Sequence, residues 1–173
     1  MLYLKKLTGK VAVVMGASRG VGKLELAKDG AFVVVHYGTR KKAATEAVQQ
    51  IVEAGGNAIA IGAKLGTVES VKQFLQELDI ELLRLTGTEN FDILVNNAGI
   101  GRSSTLIDTS EEEFDELFAV NVKVPFFLVQ QSIERINDGE ELLIYRPVLP
   151  VLHFRKLWLI TLRKVQLIRL PYT

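Results

Sequence analysis

Three glycines follow a short apolar run near the start of the 173-residue chain, and their spacing suits the binding of a phosphate group. The run Val11–Val14 leads into Gly16, Gly20 and Gly22, and helix-forming residues come next. Gly16 allows a tight turn out of a strand, Gly20 lets a pyrophosphate approach the backbone, and Gly22 lets a helix pack close to the sheet. Free N–H groups and the helix dipole favour the charge of the phosphate. The stretch predicts the start of a dinucleotide-binding unit; the alternative is an ordinary strand–helix turn.

Two later segments place asparagines where a bound molecule could meet them. Asn96-Asn97-Ala98-Gly99 follows a predicted strand, and ligands of open α/β sheets bind at the carboxyl ends of the strands. The two small residues leave room for a ligand beside the backbone. Asn121 stands alone inside an apolar helical stretch. Its alternative role is helix packing with a local hydrogen bond.

The elements that must position these residues alternate between short apolar runs and helical stretches. We predict strands over Val11–Met15, Ala31–Val35, Asn57–Ile61 and Phe91–Val95, and helices over Val21–Lys28, Lys41–Ala54 and Val68–Leu85. A further helix starts after Ser110, which forms a capping-box pattern with Glu113, and extends to Ile133. Repeated strand–helix–strand units predict an α/β fold with a parallel sheet and right-handed crossovers.

Composition excludes several other classes of protein. Hydrophobic residues make up 48% and charged residues 24% of the chain, as in an ordinary globular protein. There is no cysteine, which rules out disulfides and thiolate metal sites, and the two histidines are far apart in sequence, so no metal site is expected. Lys5 and Lys6 interrupt the region where a signal peptide needs an apolar stretch, and no run is long enough to span a membrane. We expect a cytoplasmic protein with no nucleic-acid partner.

Together, the glycine loop, the Asn97 segment and Asn121 closely resemble the short-chain dehydrogenase/reductase family over residues 8 to about 139. The resemblance implies a three-layer, Rossmann-like, doubly wound parallel sheet. It also implies hydride transfer between a nicotinamide cofactor and a small-molecule carbonyl or alcohol. Members of the family form homo-oligomers, an implication that the unusual tail described below weakens for this chain.

The resemblance also assigns roles to individual residues. Asn121 matches the asparagine that holds a water in the family's proton relay, and it is the only member of the catalytic set that this chain retains. The residues implied to hold the cofactor phosphates are Gly16, Ser18, Arg19, Gly20, Val21 and Gly22, and those implied to line the adenosine ribose side are Asn97, Ala98 and Gly99.

The end of the second predicted strand bears on the choice of cofactor. The sequence there is His36-Tyr37-Gly38-Thr39-Arg40, with no acid to accept from the ribose hydroxyls as NAD enzymes require. Arg40, together with the arginine of the glycine loop, could instead bracket a 2′-phosphate. We therefore expect NADP(H) rather than NAD(H), with Tyr37 and Arg40 among the binding residues. The alternative is two solvated surface arginines.

The chain departs from the family pattern near this site. Met15 stands where the family usually has Thr, and Lys64 where an Asp usually contacts the adenine. Seven residues separate Gly22 from Gly30, about three fewer than the pattern. Three residues are most of a helical turn, so we expect a short first helix, rotated against the sheet, and impaired cofactor binding.

The last part of the chain does not follow the family. We divide the protein into residues 1–141, a Rossmann-like NADP(H)-binding region, and residues 142–173, which carry six basic residues and no acidic one. Residues 140–173 contain no Ser, and Tyr145 and Tyr172 lack the Lys four residues on that the family's chemistry needs. We therefore expect a sheet that is incomplete on its C-terminal side, and no catalysis. Within the tail we predict a fifth strand over Leu142–Tyr145 and a helix over Leu157–Leu170.

A frameshift that truncates the family sequence explains this tail. In the reading frame that joins the third base of each codon to the first two bases of the following codon, the codons of residues 141–147 permit Ile-Ile-Asn-Ile-Ser-Ser. Those of residues 157–166 permit Met-Ala-Tyr-Asn-x-Thr-Lys-Gly-Ala. The hidden second Ser and the hidden Tyr begin at codons 146 and 159, a separation that agrees with the family. One base lost near Gly139-Glu140 would suffice.

Two other hypotheses remain open. In the first, the chain is a non-catalytic NADP(H)-binding or interaction protein whose basic tail binds a partner or an anionic membrane surface. In the second, it is an active enzyme that uses other residues. His36 and His153 support the latter poorly, because neither stands in a recognisable acid/base arrangement.

Overall fold

A computed structural model describes residues 5–17 and 22–137, together with the backbone of two short strands at 141–144 and 166–169. The predicted site residues Ser18, Arg19, Gly20 and Val21 lie outside the described residues. The strands are β1 (Val11–Met15), β2 (Phe32–Tyr37), β3 (Asn57–Gly62), β4 (Ile93–Asn96), β5 (Glu141–Ile144) and β6 (Gln166–Arg169). The helices are α1 (Gly22–Lys28), α2 (Lys41–Glu53), α3 (Val68–Thr86), α4 (Glu111–Phe118) and α5 (Val124–Ser132). A π-helical turn (Ala119–Lys123) joins α4 to α5, and a 3-10 turn (Ile133–Arg135) follows α5.

The strands form one sheet in the order β3-β2-β1-β4-β5-β6. Strands β1 to β5 pair in parallel, and β6 pairs antiparallel with β5. Because β1 lies between β2 and β4, the strand order reverses beside it, and the loops after β1 and β4 leave the sheet at a switch point where such folds bind ligands. The predicted doubly wound, Rossmann-like sheet is confirmed. Among the described residues its parallel part stops at β5, as expected for a sheet incomplete on its C-terminal side.

Helices cover both faces of the sheet, which explains why β1 is apolar at every position. Helices α1 and α2 pack on one face, where Ala27, Ala44 and Ile51 belong to one buried cluster with residues of β1 and β2. Helices α3 and α5 pack on the other face, where Phe74 and Leu128 belong to the buried core. A strand buried on both faces carries no polar alternation.

Strand β4 begins two residues later than predicted, and a buried carboxylate explains the difference. Asp92 accepts the backbone N–H of Val11 through its side chain at 2.7 Å, and Lys10 contacts the same carboxylate at 3.2 Å. Phe91, the predicted first residue, makes an isolated bridge to Ile136. A side-chain oxygen therefore accepts the N–H of Val11 at this end of the strand, while the backbone N–H of Asp92 still donates to the carbonyl oxygen of Val11 at 2.9 Å.

The tail supplies a strand where one was predicted and a second strand where a helix was predicted. Strand β5 starts at Glu141, one residue before the prediction, and Leu142 pairs with Leu94 of β4. The helix predicted over Leu157–Leu170 is wrong at Gln166–Arg169, which pairs with β5. The unpaired edge of β5 offers hydrogen bonds to any short apolar segment that reaches it, and that pairing overrides the helical pattern. The rest of the predicted helix lies outside the described residues, and the division at residue 141 stays a prediction.

None of the helices in the described ranges combines the length and the apolar character that crossing a bilayer requires.

Candidate functional site

Gly16 makes the tight turn at the end of β1, and no other residue fits there. Its φ is +62°, in the left-handed region. A Cβ built on Gly16 would lie 2.7 Å from the Cα of Ala98, in the loop after β4. The loops after β1 and β4 therefore touch through backbone atoms, and a side chain at position 16 would push them apart.

The predicted asparagine segment closes on the same turn from the β4 side. The Asn97 side-chain amide donates to the carbonyl oxygen of Gly16 at 3.4 Å. Ala98 packs against the core of the α3 face. The structure thus brings together Gly16, Asn97 and Ala98, three of the predicted cofactor-binding residues, at the switch point of the sheet.

Asn121 holds the next part of the same loop. Its side-chain oxygen accepts the N–H of Ile100 at 3.1 Å, and its side-chain amide donates to the carbonyl oxygen of Ile100 at 2.9 Å. Asn121 is buried and lies in the π-helical turn between α4 and α5. The predicted helix from Ser110 to Ile133 is therefore interrupted at Asn121, and π-helical turns of this kind are frequent at functional sites. Ser110 does cap α4, since its side chain accepts the N–H of Glu113.

His36 belongs to this edge as well, although the sequence motifs predicted no role for it. The N–H of Gly16 donates to Nδ1 of His36 at 3.2 Å, and Nε2 of His36 lies 3.0 Å from the carbonyl oxygen of Ala63. The N–H of Ala17 donates to the backbone oxygen of His36 at 3.0 Å. The signal in the sequence is a single polar residue in an apolar strand that is buried on both faces.

The residues predicted to select the cofactor lie at the ends of β2 and β3. Tyr37 is half-buried, and its ring lies over Gly62, where an added Cβ would stand 2.4 Å from the Tyr37 Cζ. Arg40 is exposed and directly precedes α2. Lys64 is also exposed, two residues after the end of β3. No acidic side chain stands at this corner in positions 36–40, so its formal charge is positive.

Helix α1 is as short as the sequence predicted, with seven residues from Gly22 to Lys28. It buries Lys23 beside Ala27, and burial lowers the pKa of the Lys23 ammonium. A lysine on the buried face fits the predicted rotation of this helix. A Cβ at Gly22 would meet no atom within 4 Å, so the close packing expected of Gly22 is absent from the described residues.

The described part of the chain therefore brings the glycine turn, the asparagine segment and Asn121 together. Gly16, Asn97, Ala98 and Asn121 form one connected set of loop contacts, to which His36 must be added. Gly99 lies within the loop that Asn121 holds. Tyr37 and Arg40 stand at the neighbouring corner.

This fold and these motifs are those of the short-chain dehydrogenases, the class of protein to which the chain belongs. The family model described as short chain dehydrogenase matches residues 10–141. The recognition drawn from the glycine and asparagine motifs is thereby confirmed.

Two of the curated relatives are named as a reductase or a reductase-like protein. A hydroxynaphthalene reductase-like protein, Arp2, of Metarhizium robertsii is 38% identical over 147 residues, which are 83% of this chain and 53% of that protein. The hydroxynaphthalene reductase arp2 of Aspergillus fumigatus is 36% identical over 80% of this chain and 50% of its own length. The chain thus spans about half the length of the curated relatives it matches.

Solved structures agree in fold and bear on the cofactor. The landomycin C-6 ketoreductase LanV, solved with bound NADP and rabelomycin, is 41% identical, with a TM-score of 0.76 over 79% of this chain and 57% of that one. A short chain dehydrogenase from Burkholderia cenocepacia J2315, in complex with NADP, is 33% identical, with a TM-score of 0.69 over 79% of this chain and 55% of that one. These neighbours are NADP-bound members of the family.

Proposed function

We propose that residues 10–141 bind NADP(H) at the edge formed by the loops after β1, β2 and β4. The observation that carries the proposal is the contact between the Gly16 turn and the Asn97-Ala98 loop at the switch point, where a glycine and an alanine meet through their backbone atoms. NADP in the related structures supports the choice of ligand. The glycine-loop residues Ser18, Arg19, Gly20, Val21 and Gly22 would complete the phosphate site. Nicotinamide, when bound, supplies hydride chemistry.

Selectivity for the 2′-phosphate rests on Arg40. It stands exposed after β2, where the lack of an acid removes the partner that NAD enzymes offer the ribose hydroxyls. A charge-assisted hydrogen bond to the phosphate is stronger than a neutral one. Arg40 would therefore discriminate NADPH from NADH, with Tyr37 beside it.

Titration of the purified chain by nucleotide fluorescence tests this proposal. NADPH should bind more tightly than NADH, and Arg40→Asp should weaken NADPH binding by at least about tenfold while changing NADH binding little. Arg84→Asp is the matched control. It makes the same charge change at an exposed residue near the end of α3, where exposed ion pairs contribute little. Equal or tighter NADH binding by the unmodified chain would reject the selectivity.

We propose further that the 173-residue chain, descended from a reductase of small-molecule carbonyls or alcohols, does not catalyse hydride transfer. Reduction of a carbonyl needs a proton for the alkoxide, and residues 140–173 offer no Ser and no Tyr followed by Lys at the family's spacing. Asn121 supports such a relay and cannot replace it. Assays with NADPH and NADH should detect no turnover. Turnover that survives every substitution in residues 140–173 would show that the chemistry lies elsewhere.

The frameshift proposal concerns the gene and is tested there. Intact hidden codons for the family's Ser, Tyr and Lys would support it, and one base inserted near codon 140 should restore them. Bases incompatible with the family frame would favour the alternative, a nucleotide-binding or interaction protein that uses its basic tail. Homo-oligomers and a cytoplasmic location are proposals carried over from the family and the composition.

A further inference from the structure

His36 is a buried polar residue with a hydrogen-bond partner on each ring nitrogen. The residue is 3% exposed and lies on the α3 face of the sheet, where its ring and that of Phe74 form a T-shaped pair with a centroid distance of 5.0 Å and an interplanar angle of 80°. The ring therefore spans three strands at their carboxyl ends: Gly16 follows β1, His36 lies in β2, and Ala63 follows β3.

The partners fix the protonation state of the ring. A backbone N–H can only donate, so Nδ1 must offer its lone pair to Gly16. A carbonyl oxygen can only accept, so Nε2 must carry the proton that it shares with Ala63. The arrangement requires the neutral ring in a single tautomer, and desolvation lowers the pKa of His36 to about 4. A second proton on the ring would face the Gly16 N–H donor.

Residue 36 also occupies the first two N–H groups of the glycine turn. Gly16 donates to the His36 ring, and Ala17 donates to the His36 carbonyl oxygen. Neither N–H is available to a phosphate, so these two groups set the shape of the turn before a nucleotide arrives.

We propose that His36 is a positioning residue for nucleotide binding, which holds the Gly16 turn against the end of β3 in the geometry that binding requires. The proposal rests on the proposed function, that this edge binds NADP(H). Fixing a loop in its bound conformation lowers the ordering cost of binding. The bond to Gly16 should therefore matter for affinity, whereas the bond to Ala63 holds the ring in place.

Two substitutions separate these bonds. The side-chain oxygen of His36→Asn stands near the position of Nδ1 and can accept the Gly16 N–H. The amide of His36→Gln reaches the position of Nε2 and can donate to Ala63. We expect His36→Asn to retain NADPH affinity within about threefold, and His36→Gln to lose about tenfold, the effect of one hydrogen bond. Equal losses in the two variants, or a larger loss in His36→Asn, would overturn the proposal.

Nuclear magnetic resonance supplies a readout that does not depend on the nucleotide. Exchange of the Gly16 amide hydrogen should be slow in the unmodified chain and in His36→Asn, and fast in His36→Gln. If neither the unmodified chain nor either variant binds NADPH, the proposed function fails. Equal exchange rates of the Gly16 amide in the two variants would show that the positioning role fails as well. If neither variant folds, the nitrogen spectrum of the unmodified chain decides: the Nε2–H tautomer supports the role, and the Nδ1–H tautomer or a charged ring overturns it.

Discussion

Acidification should destabilise this fold through His36 in a defined pH range. The folded chain holds the ring neutral, since burial lowers the pKa of His36 to about 4, whereas the ordinary value is 6.5. Between these two pH values the histidine is protonated in the unfolded chain and neutral in the folded chain. The free energy of unfolding must then fall as the pH falls from 6.5 to 4. Above 6.5 and below 4 the histidine contributes no further slope.

The size of the effect follows from the gap between the two pKa values. One unit of pKa corresponds to about 1.4 kcal/mol, so the full gap is worth about 3 kcal/mol. The residue is 3% exposed, so solvent screens little of this amount. A loss of about 3 kcal/mol is a large fraction of the stability of a small domain.

Urea unfolding at several pH values between 4 and 7.5 measures this slope, with His36→Asn as the control. The variant removes the titrating group and keeps the bond to Gly16, and His153 is present in both proteins. The difference in unfolding free energy between the two proteins should change by about 3 kcal/mol across the range, in the direction that disfavours the unmodified chain at low pH. Parallel curves would refute the assignment of a neutral, buried ring.

Two further predictions concern the loops at the same edge. Gly16→Ala should destabilise the fold by about 3 kcal/mol, because it combines a left-handed φ with a Cβ too close to Ala98. The control, Gly55→Ala, has a similar φ but open space around the Cβ, and should cost about 1 kcal/mol. Equal losses of unfolding free energy in urea would contradict the contact with Ala98. Asn121→Ala should lower the free energy of unfolding by about 2 kcal/mol, because it removes both hydrogen bonds to Ile100. The amide hydrogen of Ile100 should then exchange faster with solvent. Unchanged exchange would show that the π-helical turn holds the loop without the Asn121 side chain.

The sequence predicted the alternation of strands and helices because each element carries its own signal. The run at β1 is apolar throughout since both faces are covered, and α3 was placed within one residue at its C-terminal end because its apolar side chains follow the helical period. The short α1 followed from counting residues between Gly22 and Gly30. Each of these inferences uses residues that are close in sequence.

What the sequence did not predict depends on residues that are far apart in sequence. The start of β4 is displaced because Asp92 accepts an N–H from a residue 81 positions away. The π-helical turn depends on the two bonds of Asn121 across 21 positions. The β6 strand pairs with β5 although its local sequence pattern favours a helix. The unpaired edge of β5 offers hydrogen bonds to the backbone N–H and C=O groups of β6, and a local sequence pattern does not reveal such a distant partner.

His36 and Asn121 show how such sites can be recognised in advance. Each is a polar residue in a largely apolar run, and each uses its side chain to satisfy backbone groups of a loop at the carboxyl edge of the sheet. Buried backbone groups without partners are costly, so a loop that must stay open for a ligand needs partners from outside itself. Both sets of bonds lie before residue 122. Among the described residues these loop contacts therefore lie within residues 10–141, the part of the chain that the family model matches.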